Sequence, residues 1–213
     1  DLIFFFLFII LFIILLLSQI DFSKSTKNKV VVGSKDFTEQ NILCEMVSEY
    51  LETSSDIEVE RKCNLGGAQV VFSALTRGDI DLYIDYLGTD YTDILKHEPI
   101  SDVEKVYQTV KEEMKEKYDV AVLKQMAFNN TYALAVRQDT AELYQLEKIS
   151  DLVSVAPSLI ISPTLEFVNR TDGLKGLLKT YQFSFKDTIA MDGSPRYTAL
   201  INNQSQVIDA FTT

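Results

Sequence analysis

The chain opens on a run of apolar residues and then changes to the mixed pattern of a soluble fold. Residues 2–17 are all apolar, and no charge follows until Asp21. Since a charge at the centre of a bilayer costs a few kcal/mol, an uncharged run of this length indicates a membrane segment. We expect residues 1–20 to form a transmembrane anchor, with a cleaved signal peptide as the alternative, and residues 21–29 to form a linker. Both alternatives place the remaining residues outside the cytoplasm.

After the linker, short apolar runs alternate with stretches of helical periodicity. Apolar or alternating runs predict strands, and apolar residues that recur every three or four positions predict helices. The predicted strands are 30–32, 57–60, 80–84, 120–123, 132–136, 159–161 and 207–211. The predicted helices are 36–51, 71–75, 101–114, 174–181 and 197–201. Strands that alternate with helices imply an α/β fold with mostly parallel sheets.

Composition then narrows the class of protein. The 213 residues are 46% hydrophobic, and this aliphatic and aromatic content excludes a disordered chain. Asp and Glu outnumber Lys and Arg by 31 to 20 and no basic cluster stands out, which disfavours nucleic-acid binding. The residues after the apolar run suffice for one domain or two small lobes.

Few side chains in this sequence are suited to catalysis or to metal binding. Cys44 and Cys63 are the only cysteines, and they form either a disulfide or two separate buried thiols. His97 is the only histidine and lies in a polar stretch, as a solvated loop histidine would. Without a nucleophile–base pair or a set of metal ligands, we expect no enzyme activity, no metal site and no cofactor.

Three polar and aromatic segments follow predicted strands. They cover residues 33–40, 85–91 and 128–132. Ligands of parallel α/β sheets bind at the carboxyl ends of strands, where these segments lie. Their Ser, Thr, Asn and Gln side chains offer neutral hydrogen bonds and their Tyr side chains offer flat faces, which favours a binding site over a reaction centre.

Eight motifs occur in a fixed order along the chain. They are VVVGSKDFTEQNIL (30–43), LGG (65–67), ALTRGDIDLYIDYLGTDY (74–91), FNNTYALAVR (128–137), ISDL (149–152), EFVNRTDGLKGLLKTY (166–181), RYTALINN (196–203) and VIDAFTT (207–213). Together they resemble the glycine betaine/carnitine/choline-binding proteins of osmoprotectant ABC importers, from about residue 29 to residue 213. The resemblance implies a type II periplasmic-binding-protein fold, in which two α/β lobes, here 30–130 and 131–213, close on a ligand.

The resemblance also implies a tyrosine cage for a quaternary ammonium group. Such a cation has no N–H to donate, so aromatic faces hold it by cation–π attraction. The best-matched cage positions are Tyr86, Tyr132 and Tyr197, with Tyr91 as a weaker candidate. For each of them the alternative is a tyrosine that only packs or lies on the surface.

Four polar residues complete the expected site. Asn130 matches a ligand-contacting position of the family, and Asp85 would add negative charge beside the cage. Thr38 and Gln40 lie in the first turn of a predicted helix and would reach the polar end of the ligand, unless they only cap the helix.

The sequence departs from the family pattern in two places. Family members usually continue past the motif at 207–213 with a segment that returns to the first lobe and often brings another cage aromatic. Here we expect a truncated C-terminal part and an incomplete cage. The usual lipid-attachment cysteine is also absent, since Gln19 stands in its place. Some relatives are fused behind their own permease, and one such group has a ligand that resembles ergothioneine.

The leading hypothesis is therefore an extracytoplasmic, membrane-tethered receptor that serves an ABC permease and its ATPase subunit. Its ligand would be a quaternary amine such as glycine betaine, choline or carnitine, and the sequence does not identify which one. The alternatives are a domain fused to a permease with an ergothioneine-like ligand, or an extracytoplasmic sensor of a similar ligand. An amino-acid ligand would need an arginine for its carboxylate, and Arg196 is the candidate for that role.

Overall fold

Two separate sheets organise residues 28–213, which are the residues that the computed structural model describes. The predicted membrane segment at 1–20 lies outside them. In the first sheet, β1 (Lys29–Gly33) pairs in parallel with β2 (Glu58–Lys62). Val32 adds a single parallel bridge to Leu82, so the strand predicted at 80–84 is reduced to one bridged position. We call the elements around this sheet the N-terminal lobe.

The helices of the N-terminal lobe pack beside this sheet in two apolar clusters. They are α1 (Thr38–Ser54), α2 (Ala68–Thr76), α3 (Leu87–Thr89), which continues as a π-helical turn (Asp90–Ile94), and α4 (Val103–Tyr118). Val71 of α2 packs with Ile80 in the smaller cluster. In the larger cluster, Val110 and Met114 of α4 pack with Phe72 and Tyr91. These contacts fix the position of α3, which borders the cleft described below.

The second sheet has four strands and defines the C-terminal lobe. Its strands are β3 (Tyr132–Val136), β4 (Ile160–Ile161), β5 (Asp187–Thr188) and β6 (Val207–Phe211). In space they lie in the order β3-β6-β4-β5. The β4–β5 and β4–β6 pairs are parallel, as the sequence predicts, whereas β3 and β6 run antiparallel.

Short helices cover the C-terminal sheet. They are α5 (Gln138–Tyr144), α6 (Leu165–Asn169), α7 (Leu174–Tyr181) and α8 (Pro195–Ile201), with 3-10 turns at Ile149–Ser154 and Ala156–Ser158. Phe167 of α6 and Leu174 of α7 are buried with Ile161 and Val207 in one core. Since this core is distinct from those of the N-terminal lobe, each lobe has its own apolar interior.

Some predicted boundaries are wrong. The first helix begins at Thr38, with Phe37 as its N-cap, and not at residue 36. The cap of α4 is Asp102, whose side chain accepts from the Lys105 backbone N–H. Residues 120–123 form no strand, because no strand in the described part of the chain lies beside them, and Leu123 is 81% exposed.

The structure resolves the open question about the two cysteines. Cys44 on α1 and Cys63 after β2 form a disulfide, with 6.1 Å between their Cα atoms. His97 also differs from expectation. It lies 2.9 Å from Glu113 through Nε2, and its ring stacks on buried Tyr91, so it is a packing residue and not a solvated loop histidine.

Residues 28–213 contain neither a candidate membrane span nor a cluster of metal ligands. No helix among them combines the length and the apolar character that a bilayer crossing requires. In the same part of the chain, His, Cys, Asp and Glu side chains form no group that could hold a metal ion.

Candidate functional site

A cleft of about 350 Å³ lies between the two lobes. This volume falls in the range of small-molecule sites. Residues of both lobes line it: Lys35, Asp36, Phe37, Gly67, Tyr86, Gly88 and Thr89 from the N-terminal lobe, Asn130 and Thr131 just before β3, and Tyr132, Thr164, Glu166, Arg170, Asp172, Asp192, Gly193, Arg196 and Phe211 from the C-terminal lobe.

Four aromatic rings form a continuous surface of the cleft, which we call the aromatic wall: Phe37, Tyr86, Tyr132 and Phe211. Phe37 and Phe211 stack across the lobes with 4.7 Å between ring centroids. Tyr86 lies 6.2 Å from Phe37, and Tyr132 lies 5.3 Å from Phe211. All four rings therefore line the same cleft.

Local structure explains how the rings meet. Phe37 follows β1 and is the N-cap of α1, whereas Tyr86 is the N-cap of α3. Tyr132 and Phe211 are directly opposite each other in the antiparallel β3–β6 register. Cross-strand partners have neighbouring side chains on one face of a sheet, so this register brings the two rings together.

Two side chains of α1 form hydrogen bonds with the hydroxyl of Tyr86. It donates to Glu39 Oε1 at 2.6 Å and accepts from Gln40 Nε2 at 3.2 Å. Gln40 is buried, and its Oε1 accepts from the Lys35 backbone N–H. Burial, and then the hydrogen bond to Glu39, raise the pKa of the Tyr86 phenol, which therefore stays protonated at neutral pH.

Tyr132 has a comparable partner in the C-terminal lobe. Its hydroxyl donates to Glu166 Oε1 at 3.1 Å. Burial, and then the charge of Glu166, raise the pKa of this phenol as well. The Arg170 guanidinium carbon lies 5.4 Å from the centroid of the Tyr132 ring, and Phe167 packs against the same ring.

Arg170 connects the two lobes, and we call its set of partners the interlobe network. Its guanidinium donates to Thr89 at 2.8 Å and to Thr92 at 3.1 Å in the N-terminal lobe. On its own side it donates twice to Asp172, at 2.9 and 2.7 Å, and once to Glu166 at 3.2 Å. Its charge is buried and fully paired, so it serves to hold the lobes together.

A second contact across the lobes comes from Glu166 itself. Its Oε2 accepts a hydrogen bond of 3.3 Å from the Ala68 backbone N–H, at the start of α2. Carboxylates are stabilised at helix N-termini, where backbone N–H groups have no partner within the helix. Glu166 thus joins Tyr132, Arg170 and α2.

Lys35 and Asp85 form a buried ion pair beside the aromatic wall. Burial lowers the pKa of Lys35, but the charges of Asp85 and Glu166 outweigh this effect and the pKa is raised. The Lys35 ammonium lies 5.1 Å from the Tyr86 ring centroid. Since Asp85 neutralises Lys35, its negative charge is not free for a ligand. Burial, and then Asp85, hold the pKa of neighbouring Asp90 well above its usual value.

Arg196 lines the cleft next to Phe211 of the aromatic wall. Its guanidinium carbon lies 5.6 Å from the Phe211 centroid and 4.6 Å from the Tyr197 centroid. Backbone carbonyls hold it in place, because it donates to Gly193 O at 2.8 Å and to Asp209 O at 3.3 Å. Tyr197 thus packs on Arg196, and 42% of it is exposed outside the cleft.

The eight residues predicted from sequence fall into three groups. The cleft is lined by Tyr86, Asn130 and Tyr132. Directly behind the lining lie Gln40 and Asp85. Outside it lie exposed Thr38, Tyr91 in the core of the N-terminal lobe, and Tyr197. Asn130 also has a buried Oδ1 without a hydrogen-bond partner among residues 28–213.

The sequence prediction missed Phe37, Phe211, Glu166 and Arg170. All four lie inside the motifs quoted above. Pairing the predicted strands 132–136 and 207–211 antiparallel would have placed Phe211 opposite Tyr132. Glu166 and Arg170 are four residues apart, the spacing of one helical turn, and this spacing was the available signal.

The fold defines the class to which this molecule belongs. A solved structure described as a glycine betaine/carnitine/choline ABC transporter superposes with a TM-score of 0.59 at 30% identity, covering 88% of this chain and 69% of that one. The chain has the α/β type II periplasmic-binding fold. A family model for the substrate binding domain of ABC-type glycine betaine transport systems, OpuAC, matches residues 28–213. The chain therefore belongs to this family.

Two curated relatives are similar over most of the chain. One is the ergothioneine transport permease/ergothioneine binding protein EgtU of Helicobacter pylori (strain G27), which is 34% identical over 86% of this chain. Another is the carnitine transport binding protein OpuCC of Listeria monocytogenes, which is 34% identical over 89% of this chain. The matched region spans 33% of the first relative and 62% of the second.

Proposed function

We propose that this chain is the substrate-binding part of an ABC importer for a quaternary amine of the glycine betaine, carnitine or ergothioneine class. The observation that carries the proposal is the aromatic wall, which directs four rings toward one cleft between two lobes. A trimethylammonium group cannot donate hydrogen bonds, whereas each aromatic face attracts it by roughly 0.5–2 kcal/mol. A reaction centre would need a nucleophile or base, which this wall does not provide.

Charged side chains in the cleft favour a zwitterion over a simple cation. The acidic lining residues are Asp36, Glu166, Asp172 and Asp192, and the basic ones are Lys35, Arg170 and Arg196. Arg196 donates to two backbone carbonyls, and its ion pair with buried Asp209 is 3.8 Å long, so of the three basic groups its charge is the least tightly paired. We assign it to the carboxylate end of the ligand, with Asn130 as a neutral hydrogen-bonding partner. Choline, which has no carboxylate, should bind more weakly than the zwitterions.

Binding would stabilise one arrangement of the lobes, which we assign to 30–130 and 131–213. The ligand would occupy the cleft that residues of both lobes line, and the interlobe network would fasten the lobes around it. A permease with its ATPase subunit would then recognise the joined lobes. This role places the domain on the extracytoplasmic side, tethered by residues 1–20.

The likeness to a permease/binding protein from Helicobacter pylori favours a domain fused to its own permease, with an ergothioneine-like ligand as one candidate. An extracytoplasmic sensor would use the same cleft but would signal through its anchor. The two possibilities differ in the partner, so copurification with ATPase subunits or with a signalling module distinguishes them.

The test is calorimetric titration of the full chain in detergent with glycine betaine, carnitine, choline, ergothioneine and L-arginine. We expect tight binding of at least one zwitterionic quaternary amine and weak binding of L-arginine. The chain has no Trp, so tyrosine fluorescence provides a second readout. Binding of L-arginine alone, or of none of the five compounds, would contradict the proposal.

Two variants locate the site. Tyr132→Ala should weaken binding at least about 10-fold, because it removes a ring of the aromatic wall. Tyr107→Ala is the matched control, since Tyr107 lies on α4 and its hydroxyl donates to Leu123 O, away from the cleft. Equal losses in both variants would exclude the cleft as the binding site.

A further inference from the structure

Both tyrosines of the aromatic wall donate their hydroxyl hydrogen to a glutamate. The Tyr86–Glu39 bond is 2.6 Å long and the Tyr132–Glu166 bond is 3.1 Å long. Hydroxyl–carboxylate bonds of 2.5–2.7 Å are charge-assisted and about twice as strong as neutral ones. The two pairs come from different lobes and from unrelated segments, so the same arrangement occurs twice around one cleft.

Such a bond fixes the orientation of the ring and also changes the charge distribution of its π face. A phenol that donates to a carboxylate has its O–H electrons drawn toward the ring, so the π face becomes more negative. Cation–π attraction is electrostatic and grows with this negative character.

Glu39 contacts the Tyr86 hydroxyl without lining the cleft. It lies on the first turn of α1 and does not line the cleft, so it does not touch a ligand there. Gln40, its neighbour on α1, donates to the same Tyr86 oxygen, which leaves the phenol proton to Glu39. Glu166 has further partners in Arg170 and Ala68, so its effect on Tyr132 cannot be isolated as cleanly.

We propose that Glu39 is a positioning residue that makes the site selective for a positive charge, because its carboxylate polarises the Tyr86 ring; Glu166 does the same to Tyr132. The inference rests on the proposed function, since it concerns how the aromatic wall recognises an ammonium group. The inference assigns the selectivity for a positively charged ligand to Glu39, which does not line the cleft.

The test compares glycine betaine with 3,3-dimethylbutanoate, its carbon isostere, in which a neutral carbon replaces the charged nitrogen. The two compounds have the same shape and the same carboxylate. The ratio of their affinities therefore measures recognition of the positive charge. Glu39→Gln keeps the side-chain shape and removes the negative charge. We expect it to lower the ratio about 3- to 10-fold, whereas the matched Glu49→Gln on the same helix should leave the ratio unchanged.

A double variant excludes a merely structural effect. Tyr86→Phe should lower the ratio as Glu39→Gln does, and adding Glu39→Gln to Tyr86→Phe should change nothing more. If Glu39→Gln instead weakens both compounds equally, or leaves the ratio as in the wild type, the inference is overturned.

A measurement without ligand separates this inference from the proposed function. Carbon-13 at the tyrosine Cζ reports on the phenol, and the Tyr86 signal is identified by its loss in Tyr86→Phe. We expect Glu39→Gln to shift this signal and Glu49→Gln to leave it unchanged; no shift in Glu39→Gln overturns the inference. If Glu39→Gln shifts the signal but the wild-type chain binds no quaternary amine, the result contradicts the proposed function instead.

Discussion

Arg170 Nη1 donates a 2.8 Å hydrogen bond to Thr89 Oγ1, across the cleft from a residue 81 positions earlier in the chain. Both side chains are buried. Arg170 is otherwise held by acids of its own lobe, so the threonine hydroxyls are its link to the N-terminal lobe. This pair couples the position of α3 to that of α6, and hence couples the lobes.

Thr89→Val should weaken this coupling. Valine has nearly the same shape but no hydroxyl, and a hydrogen bond to a charged group contributes roughly 1.5–3 kcal/mol. We expect ligand affinity to fall at least about 10-fold in calorimetry, because the joined arrangement of the lobes is less stable. Thr76→Val is the control, since its hydroxyl donates only to backbone carbonyls of α2, those of Phe72 and Ser73. Wild-type affinity in Thr89→Val would show that the bond does not contribute to binding.

Phe211→Leu should reduce affinity although leucine preserves most of the apolar volume. The variant removes the ring that stacks on Phe37 and lies beside Tyr132. Losing one cation–π face corresponds to roughly 0.5–2 kcal/mol, or about 2- to 30-fold in affinity. The control is Phe185→Leu, which changes the same residue type in the core of the C-terminal lobe. Thermal denaturation of both variants separates binding from stability, and equal affinities would remove Phe211 from the site.

Much of the fold could be predicted from sequence because its elements have clear periodicity. The predicted bounds 132–136, 174–181 and 207–211 match β3, α7 and β6. The strand predicted at 120–123 is wrong because alternation alone does not provide a neighbouring strand, and sheet structure requires a partner. The antiparallel β3–β6 pair also escaped prediction, since βα alternation indicates parallel pairing only.

The candidate site was harder to predict than the fold. Tyr86, Asn130 and Tyr132, which the family resemblance singled out, line the cleft: Tyr86 is the N-cap of α3, Tyr132 begins β3, and Asn130 lies two residues before it. Tyr197 was misplaced because its motif also contains Arg196, and it is the arginine that faces the cleft. Motif membership identifies a segment, whereas helical rotation decides which of two neighbouring side chains points inward.

Reduction of the Cys44–Cys63 disulfide should destabilise the N-terminal lobe. The bond joins residues 19 positions apart, and closing a loop of that length stabilises the folded state by about 3 kcal/mol through chain entropy. We expect the urea midpoint of the full chain to fall when dithiothreitol is added. A Cys44→Ala, Cys63→Ala double variant should have the lower midpoint with or without reductant. A wild-type midpoint that ignores reductant would contradict this prediction.

Asp90 should make the protein less stable as pH rises. Burial, and then the charge of Asp85, hold the pKa of Asp90 well above its usual value, so the folded state binds this proton more tightly than the unfolded chain does. Stability therefore falls between about pH 4, the unfolded-state pKa, and the raised pKa of the folded state. Asp85 also carries a buried Oδ2 without a partner among residues 28–213, which a protonated Asp90 is suited to satisfy.

Asp90→Asn imitates the protonated acid and removes this dependence. We expect its free energy of unfolding to exceed that of the wild type at pH 8 by roughly 1–3 kcal/mol, the range for a poorly compensated buried polar group. The difference should become small at pH 4, where Asp90 is protonated in the folded state and about half protonated in the unfolded chain. Urea titrations at pH 4, 6 and 8 measure this, with Asp79→Asn as an exposed control that pairs with Arg77. A pH-independent difference would mean that Asp90 acts through packing, because only titration of its carboxyl makes the gain depend on pH.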